Sequence, residues 1–459
     1  MHTRRFLIAL GSFLSLPFLL QAQTKPNKVE YVEFDLDNGM HVILHQDKSV
    51  PLVAVSVLYH VGAKDEKPGR SGFAHFFEHL MFEGSKNIER GEFSKIVERA
   101  GGALNAYTTF DKTFYYDLLP ANELELGLWL ESERLMHAKV DEKGVETQRE
   151  VVKEEKRQRY DNAAYGKILQ EMMALAYKKH KYRITPIGTM DDLNAAEEQD
   201  YVDFYQTYYV PNNATLSIAG AIDIEETKKL VKQYFGPIPA GDPIDRKRVQ
   251  EPKQTEEYRG TAYDPNIQLP AVVQGFKTPA IGEEDFYATK MLMQLLSQGE
   301  SSRLTSSIKN EQQKALYVGA FPFDLEDDPS MSLAFAIASG GTELEELEAA
   351  MDAEYQKVMD ELISEEEFQK LRNQIESSFY SKNSEVAGIA ENLANYHVFY
   401  GGAEMINREI DEYMKVTRED IQAAAKKYLR KENRSTLYYL PQPKEEQGEE
   451  EDEDSSKGE

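Results

Sequence analysis

Apolar positions in the first half of the chain recur with two different periods, which predict strands and helices in turn. Short alternating or continuous apolar runs bounded by Gly, Pro, Asn or Asp predict strands at residues 31–36, 40–46, 52–61 and 214–219. Longer segments with apolar residues three or four positions apart predict helices near residues 71–83, 91–100, 121–138, 144–160, 163–178 and 197–208.

The second half of the chain restarts the same order of elements. It predicts strands at residues 268–275 and 435–439 and helices near residues 283–298, 301–313, 343–360, 364–381, 385–400 and 417–430. Between the halves, Pro and Gly punctuate a charged stretch, which predicts a linker at residues 243–258. Clustered strands with helices between them indicate an α+β fold with two domains, residues 27–242 and 259–442, each a sheet covered by helices on one side.

One predicted helix carries two histidines and a glutamate on a single face. We expect this helix to span residues 71–84, with a Ser at its N-cap and a Gly at its end. His75, Glu78 and His79 recur at helical spacing, so two imidazoles lie one turn apart with a carboxylate between them. Zinc is commonly held by such ligands, it lowers the pKa of a bound water toward about 7, and a nearby Glu can take the proton. The alternative is a chance pattern on an amphipathic helix with half-buried histidines.

A third metal ligand would have to come from a second helix. The helix near residues 144–160 is highly charged, and Val151 and Val152 mark its inward face. Glu155 lies four residues after Val151 and three after Val152, so it shares that face. Glu154 points to another side of the helix. An inward carboxylate needs a partner, and the spacing leaves open whether this is zinc or the cation of an Arg or Lys.

Three segments together carry a recognisable pattern: GFAHFFEHLMFEGS, GGALNAYTTFDKTFYY and REVVKEEKRQRYDN. They resemble the pitrilysin/insulinase family of zinc peptidases, the inverzincins with the motif HxxEH, in a short form similar to the subunits of mitochondrial processing peptidase. The resemblance implies two homologous domains that form half of a four-domain clamshell. It implies His75, His79 and Glu155 as ligands of one zinc ion per chain, since no second three-ligand group is evident. It also implies Glu78 as the general base of an endopeptidase that hydrolyses peptides or unfolded segments.

The same resemblance implies substrate contacts outside the zinc helix. The strand that holds Asn105 should be an edge strand onto which a peptide adds by β-augmentation, with Asn105 near the scissile bond. A role in a turn or at the start of a strand is the alternative for Asn105. Tyr317 matches a Tyr that a distant domain supplies to the active site of the family.

Two positions depart from the family pattern. Asn310 stands where the family has an Arg that acts together with the Tyr, and Arg303 matches a different, structural position. Gln148 stands where several members have a Glu, although a Gln can still hydrogen-bond a metal-bound carboxylate. Four domains close the family's chamber and this chain supplies two, so a second two-domain subunit is implied. A partner that carries the missing Arg would form a heterodimer, and a homodimer that uses Tyr317 alone is the alternative.

The two ends of the chain and its net charge bear on its cellular location and on the partners it could bind. Residues 1–22 predict a signal peptide for export, to the periplasm in a bacterium, with a non-cleaved anchor as the alternative. The absence of Cys fits an oxidising compartment. Residues 443–459 predict an acidic, disordered tail. A formal net charge of -27 speaks against nucleic-acid binding.

Two functional classes compete with a peptidase. A non-catalytic structural or peptide-binding subunit would not require Glu78, which the chain has retained. A metal-storage or metal-sensing protein would require further His or Cys clusters, and the sequence shows none.

Overall fold

The first half of the chain builds a six-stranded sheet. The structure is a computed structural model that describes residues 28–443, so the predicted signal peptide and nearly all of the predicted tail lie outside the described residues. The strands are β1 (Val32–Asp35), β2 (His41–Gln46), β3 (Leu52–Tyr59), β4 (Ala103–Thr108), β5 (Thr113–Pro120) and β6 (Ala214–Gly220). Their order is β1-β2-β6-β3-β5-β4, and only β2 and β6 are parallel. The expected edge strand at Asn105 is β4, which lies at one end of the sheet.

Eight α-helices lie in the described part of this half, and most of them cover one face of the sheet. They are α1 (Phe73–Leu80), α2 (Phe93–Arg99), α3 (Leu124–His137), α4 (Glu142–Lys156), α5 (Ile168–Ala176), α6 (Met190–Ala195), α7 (Glu198–Tyr208) and α8 (Ile224–Phe235). Alternation along β3 explains the packing, because Val53, Val55 and Val57 all point into the core beneath these helices.

Up to residue 443, the second half builds a five-stranded sheet and six α-helices. The strands are β7 (Tyr258–Asp264), β8 (Ala271–Thr278), β9 (Ala315–Pro322), β10 (Ser330–Ala338) and β11 (Arg434–Pro441), in the order β7-β11-β8-β10-β9 with only β7 and β11 parallel. The helices are α9 (Phe286–Ser297), α10 (Leu344–Asp360), α11 (Glu365–Lys382), α12 (Val386–Phe399), α13 (Glu409–Lys415) and α14 (Arg418–Tyr428). The predicted fold class is confirmed: two mainly antiparallel sheets, each covered by helices.

One helix from each half also packs on the sheet of the other half. The sequence analysis predicted helices on only one side of each sheet and so missed this exchange. Met172 and Met173 of α5 pack with Val273 of the second sheet. Leu393 of α12 packs with Ala54 of the first sheet. Full burial of such side chains stabilises by about 1.5–3 kcal/mol each, so the exchange joins the halves through apolar contacts. Periodicity shows that a helix has an apolar face but not which sheet it will cover.

Strands β5, β7, β9 and β10 are absent from the sequence-based prediction. β7 alternates between half-buried and exposed residues, and β9 is an edge strand with exposed apolar side chains, so neither resembles a buried run. Residues 243–257 contain no helix or strand. The domain boundaries at residues 242 and 259 stay predictions. Within residues 28–443, no helix combines the length and the apolar character needed to cross a bilayer.

Candidate metal centre and catalytic site

Helix α1 carries the HxxEH residues, and a buried aromatic face holds the helix in place. Phe76 and Phe77 are buried against Tyr201, with ring centroids 4.4 and 6.2 Å from its ring. That packing turns His75 and Glu78 to the opposite face. The sequence-based boundaries were too wide, because the helix begins at Phe73 and ends at Leu80.

The N-terminus of α1 is capped from outside the helix, and the prediction of Ser71 as N-cap was wrong. Gly72 holds the N-cap position with a left-handed φ of 90°, a conformation that favours glycine. Both carboxylate oxygens of the buried Glu66 accept hydrogen bonds, one from the Gly72 N–H and one from the Ala74 N–H, each at 2.9 Å. Ser71 donates its hydroxyl to Asp192 instead. The Glu66 carboxylate therefore supplies the cap that the Ser was expected to supply.

Helix α4 turns Glu155 toward α1. Only one of the two valines that predicted this orientation is buried. Val152 is fully buried and lies on the inward face, as predicted, but Val151 is 43% exposed. Consecutive residues of an α-helix are rotated by about 100° around the helix axis, so only one of these two valines faces the core. Glu154 is exposed and accepts hydrogen bonds from Gln158 and Arg157, away from the histidines.

The two histidines and Glu155 converge on one point. Glu155 Oε2 lies 3.0 Å from His79 Nε2 and 3.5 Å from His75 Nε2. One donor atom from each residue lies within 4.8 Å of the other two. Tetrahedral zinc with ligands at about 2.0–2.1 Å separates its donor atoms by about 3.3–3.4 Å, close to these distances. Glu155 Oε2 is buried, and no aligned hydrogen-bond donor reaches it from the described part of the chain, so these residues fit a zinc ion.

Burial and the neighbouring His79 shift the pKa values of His75 and Glu155. Burial, assisted by the neighbouring His79, lowers the pKa of His75 to about 4. His75 is therefore neutral at pH 7, the form that can ligate a metal. The proximity of His79 is the largest influence that lowers the pKa of Glu155. A neutral imidazole and an ionised carboxylate are the states that a zinc site requires.

Glu78 lies beside this group but does not belong to it. Its Oε2 accepts a hydrogen bond of 2.8 Å from the hydroxyl of Thr108 on β4. Burial raises the pKa of Glu78, and the Thr108 hydrogen bond opposes that rise only in part. A carboxylate with a raised pKa takes up a proton more readily, which suits a general base.

Arg159 is a site residue that the sequence analysis missed. Its Nη1 lies 2.7 Å from Glu155 Oε1, although the Arg side chain itself is 75% exposed. The two alternatives for Glu155 are compatible, because one oxygen faces the histidines and the other pairs with the Arg159 cation. The spacing of four residues between Glu155 and Arg159 was the available signal.

A cavity of about 720 Å³ opens beside Glu78, and β4 forms one wall. Aromatic side chains, including Phe110, Phe321 and Phe323, line much of it. Neither predicted substrate residue lines this cavity. Asn105 is exposed, and its Oδ1 accepts from the Ala106 N–H at 2.9 Å. Tyr317 is 55% exposed on the edge strand β9, so both substrate assignments stay predictions.

The positions that depart from the family pattern are engaged elsewhere. Gln148 donates to Glu83 at 2.5 Å rather than to the carboxylate of the metal group. Arg303 forms two hydrogen bonds to Glu367, at 2.9 and 2.7 Å, which fits a structural role. Asn310 is exposed, and its Nδ2 lies 3.4 Å from the Glu300 carbonyl oxygen. The exposed Asn310 and Tyr317 side chains are accessible to another chain.

Comparisons with known proteins point to one protein family. Residues 41–189 match the model described as "Insulinase (Peptidase family M16)", and residues 196–375 match that described as "Peptidase M16 inactive domain". The zinc protease PqqE of Helicobacter pylori is 31% identical over 95% of this chain and 98% of its own length. The crystal structure of a protease from Helicobacter pylori has a TM-score of 0.84 at 29% identity and covers 91% of this chain and 100% of that one.

A longer protein shares the fold. The crystal structure of the periplasmic protease PqqL from Escherichia coli has a TM-score of 0.74 at 19% identity. The match covers 90% of this chain but 48% of that chain. A chain of roughly double length thus contains one region with this two-sheet architecture and leaves about half of its length outside the match.

Proposed function

Since this chain belongs to the insulinase family of peptidases, peptidase family M16, we propose that it is an exported zinc endopeptidase that hydrolyses peptides or unfolded segments. The observation that carries this proposal is the convergence of His75, His79 and Glu155 beside the separate carboxylate of Glu78. His75, His79 and Glu155 would hold one zinc ion, and Glu78 would act as general base. A storage site would need the ligands but not the base.

The residues of the chain divide the chemistry between them. Bound zinc supplies Lewis-acid chemistry, which lowers the pKa of water and polarises a carbonyl. Thr108 fixes Oε2 of Glu78 by its hydrogen bond, which leaves Oε1 free to take a proton from the attacking water. The protonated Glu78 can then pass that proton to the leaving amine. Main-chain groups on the free edge of β4 can hydrogen-bond an extended peptide beside Glu78.

Recognition by an edge strand predicts a preference for unfolded substrates. A folded domain has no free extended segment to add to β4, so it should resist cleavage. We expect a stable domain to survive, while the same domain carrying a destabilising core substitution is cut at several sites. Mass spectrometry of timed digests would measure this. Equal cleavage of both forms, with unfolding of the stable form excluded by circular dichroism, would contradict the proposed substrate class.

Export is proposed on the sequence of residues 1–22, and the similarity to the periplasmic protease PqqL of Escherichia coli supports it. The N-terminal residue of the protein recovered from a periplasmic fraction tests this directly. We expect the mature chain to begin shortly after residue 22. Recovery only from the cytoplasmic fraction, with residues 1–22 intact, would remove export from the proposal.

The active form is proposed to contain a second two-domain chain. The match to about half of a longer chain supports this, and Asn310 favours a non-identical partner that supplies an Arg. A charged hydrogen bond to the substrate carbonyl contributes about 1.5–3 kcal/mol, so we expect such a partner to raise kcat about tenfold or more. A homodimer that uses Tyr317 is the alternative.

Substitution of Asn310 distinguishes the proposed heterodimer from the homodimer. Asn310→Arg should raise the activity of the purified single chain, and Asn310→Gln, which adds no charge, should not. Steady-state cleavage of one peptide, with and without a co-purified relative, measures both effects. Full activity of the single chain that neither a relative nor Asn310→Arg changes would rule out the heterodimer.

A non-catalytic subunit is the second candidate function. The match of residues 196–375 to an inactive-domain model is consistent with it, although this match lies outside the HxxEH helix. Retention of Glu78 in a hydrogen-bonded, half-buried position argues for the enzyme.

A further inference from the structure

A second group of potential metal ligands lies where the two halves of the chain meet. Glu33 on β1, His41 on β2 and His397 on α12 each offer a donor atom within 4.8 Å of the other two. The sequence conceals this group, because 355 residues separate the two histidines (397 − 41 − 1). The expectation of one zinc ion per chain assumed a single three-ligand group, and the described residues contain two.

The side chain of His41 is held in the orientation of a metal ligand. Its Nδ1 lies 2.7 Å from Asp35 Oδ1, and an ionised carboxylate can only accept a hydrogen bond, so Nδ1 carries the proton. In the neutral ring, Nε2 then presents a lone pair. A carboxylate that orients the remote nitrogen in this way is the usual outer partner of a metal-bound histidine.

Among residues 28–443, the Nε2 nitrogen of His41 has no hydrogen-bond partner. His41 Nε2 is buried, and the nearest acidic atom, Glu33 Oε2, is 3.4 Å away. In the neutral ring, a lone pair would face a carboxylate, which is unfavourable unless a cation lies between them. A proton on Nε2 would also relieve this contact, and the experiment below separates the two cases.

His397 supplies the third donor from the other half of the molecule. Its ring is stacked on that of His41, with centroids 3.5 Å apart and planes inclined by 3°. Because the two rings are parallel, one ion can bind both only if the His397 ring rotates about its Cβ–Cγ bond, out of the stack and toward the point that His41 and Glu33 share.

We propose that Glu33, His41 and His397 bind a divalent transition-metal ion such as Zn²⁺, separate from the proposed catalytic ion. Two imidazoles and one carboxylate, with water in the remaining position, suit zinc. The ion would link β1 and β2 of the first sheet to α12, the helix that the second half lends to that sheet. Its role would be to hold the two halves together, independently of peptide hydrolysis.

The experiment counts metal ions in stripped and reloaded mature protein. Protein freed of metal by a chelator is loaded with Co²⁺ or Zn²⁺, desalted, and analysed for bound metal and for the Co²⁺ absorption spectrum. We expect two equivalents in the wild type and one in His79→Ala, which retains only the second site. We also expect one in His397→Phe, which preserves ring stacking but removes the nitrogens, and none in the double variant.

Two further variants provide a second test of the site and a control. Glu33 is 43% exposed on its side chain, so Glu33→Gln should fold normally and still weaken the second site. His137→Phe, at a histidine outside both groups, should retain two equivalents. Thermal unfolding of the stripped proteins confirms that each variant is folded.

The outcomes are distinct. One equivalent in both the wild type and His397→Phe, or none in His79→Ala, would overturn the second site, and an imidazolium would then explain the cluster. Two equivalents in folded His397→Phe would overturn it as well. One equivalent that His397→Phe loses and His79→Ala retains would instead overturn the proposed catalytic site and support the second.

Discussion

Glu78→Gln should bind zinc as the wild type does and lose nearly all hydrolysis. General-base catalysis contributes about 10²–10⁴-fold, and the amide cannot accept a proton, so we expect kcat to fall by about 10³-fold. The amide has nearly the same volume and can still accept the hydrogen bond from Thr108, so the fold should not change. Zinc content and peptide cleavage, measured on the same preparation, check the result.

The control for this substitution is a glutamate of the same half that takes no part in the site. Glu98 is exposed at α2, and Glu98→Gln should leave both zinc content and kcat unchanged. Near-normal turnover in zinc-loaded Glu78→Gln would exclude Glu78 as the base. The proton of the attacking water would then have to be accepted by another group of the site.

The local sequence pattern was sufficient to predict how the HxxEH residues are arranged on their helix. The spacing of His75, Glu78 and His79 follows from helix geometry alone, and the buried phenylalanines on the opposite face leave only one way to orient the helix. Glu155 was harder to place. Periodicity placed it on the inward face together with both valines, but Val151 is 43% exposed and only Val152 is buried.

Features that depend on distant segments could not be predicted. The cap of α1 comes from Glu66 through contacts that no capping pattern at Ser71 describes. The exchange of α5 and α12 between the sheets depends on which apolar faces meet in three dimensions. The cluster of Glu33, His41 and His397 is a direct result of that exchange, since α12 brings its histidine to the first sheet. Long-range packing decides these contacts, and a periodic pattern records only local spacing.

Glu155→Gln should act on the metal rather than on the proton transfer. The substitution removes the negative charge whose Oε2 lies 3.0 Å from His79 Nε2, and it leaves two imidazoles, which make a poor zinc site. Loss of an outer-shell partner already costs about 10–100-fold in metal affinity, so loss of a direct ligand should cost at least about 100-fold. Competition with a chromophoric chelator measures the affinity.

Glu154→Gln is the matched control, because Glu154 is the adjacent residue on the same helix and is exposed to solvent. Its hydrogen bonds go to Gln158 and Arg157, so zinc affinity and activity should both stay at the wild-type level. The titration should be carried out in the His397→Phe background, so that the proposed second ion does not mask the loss. Excess zinc should restore part of the activity of Glu155→Gln but none of the activity of Glu78→Gln, because only the former still has its base. Unchanged zinc affinity in Glu155→Gln would show that another carboxylate completes the site.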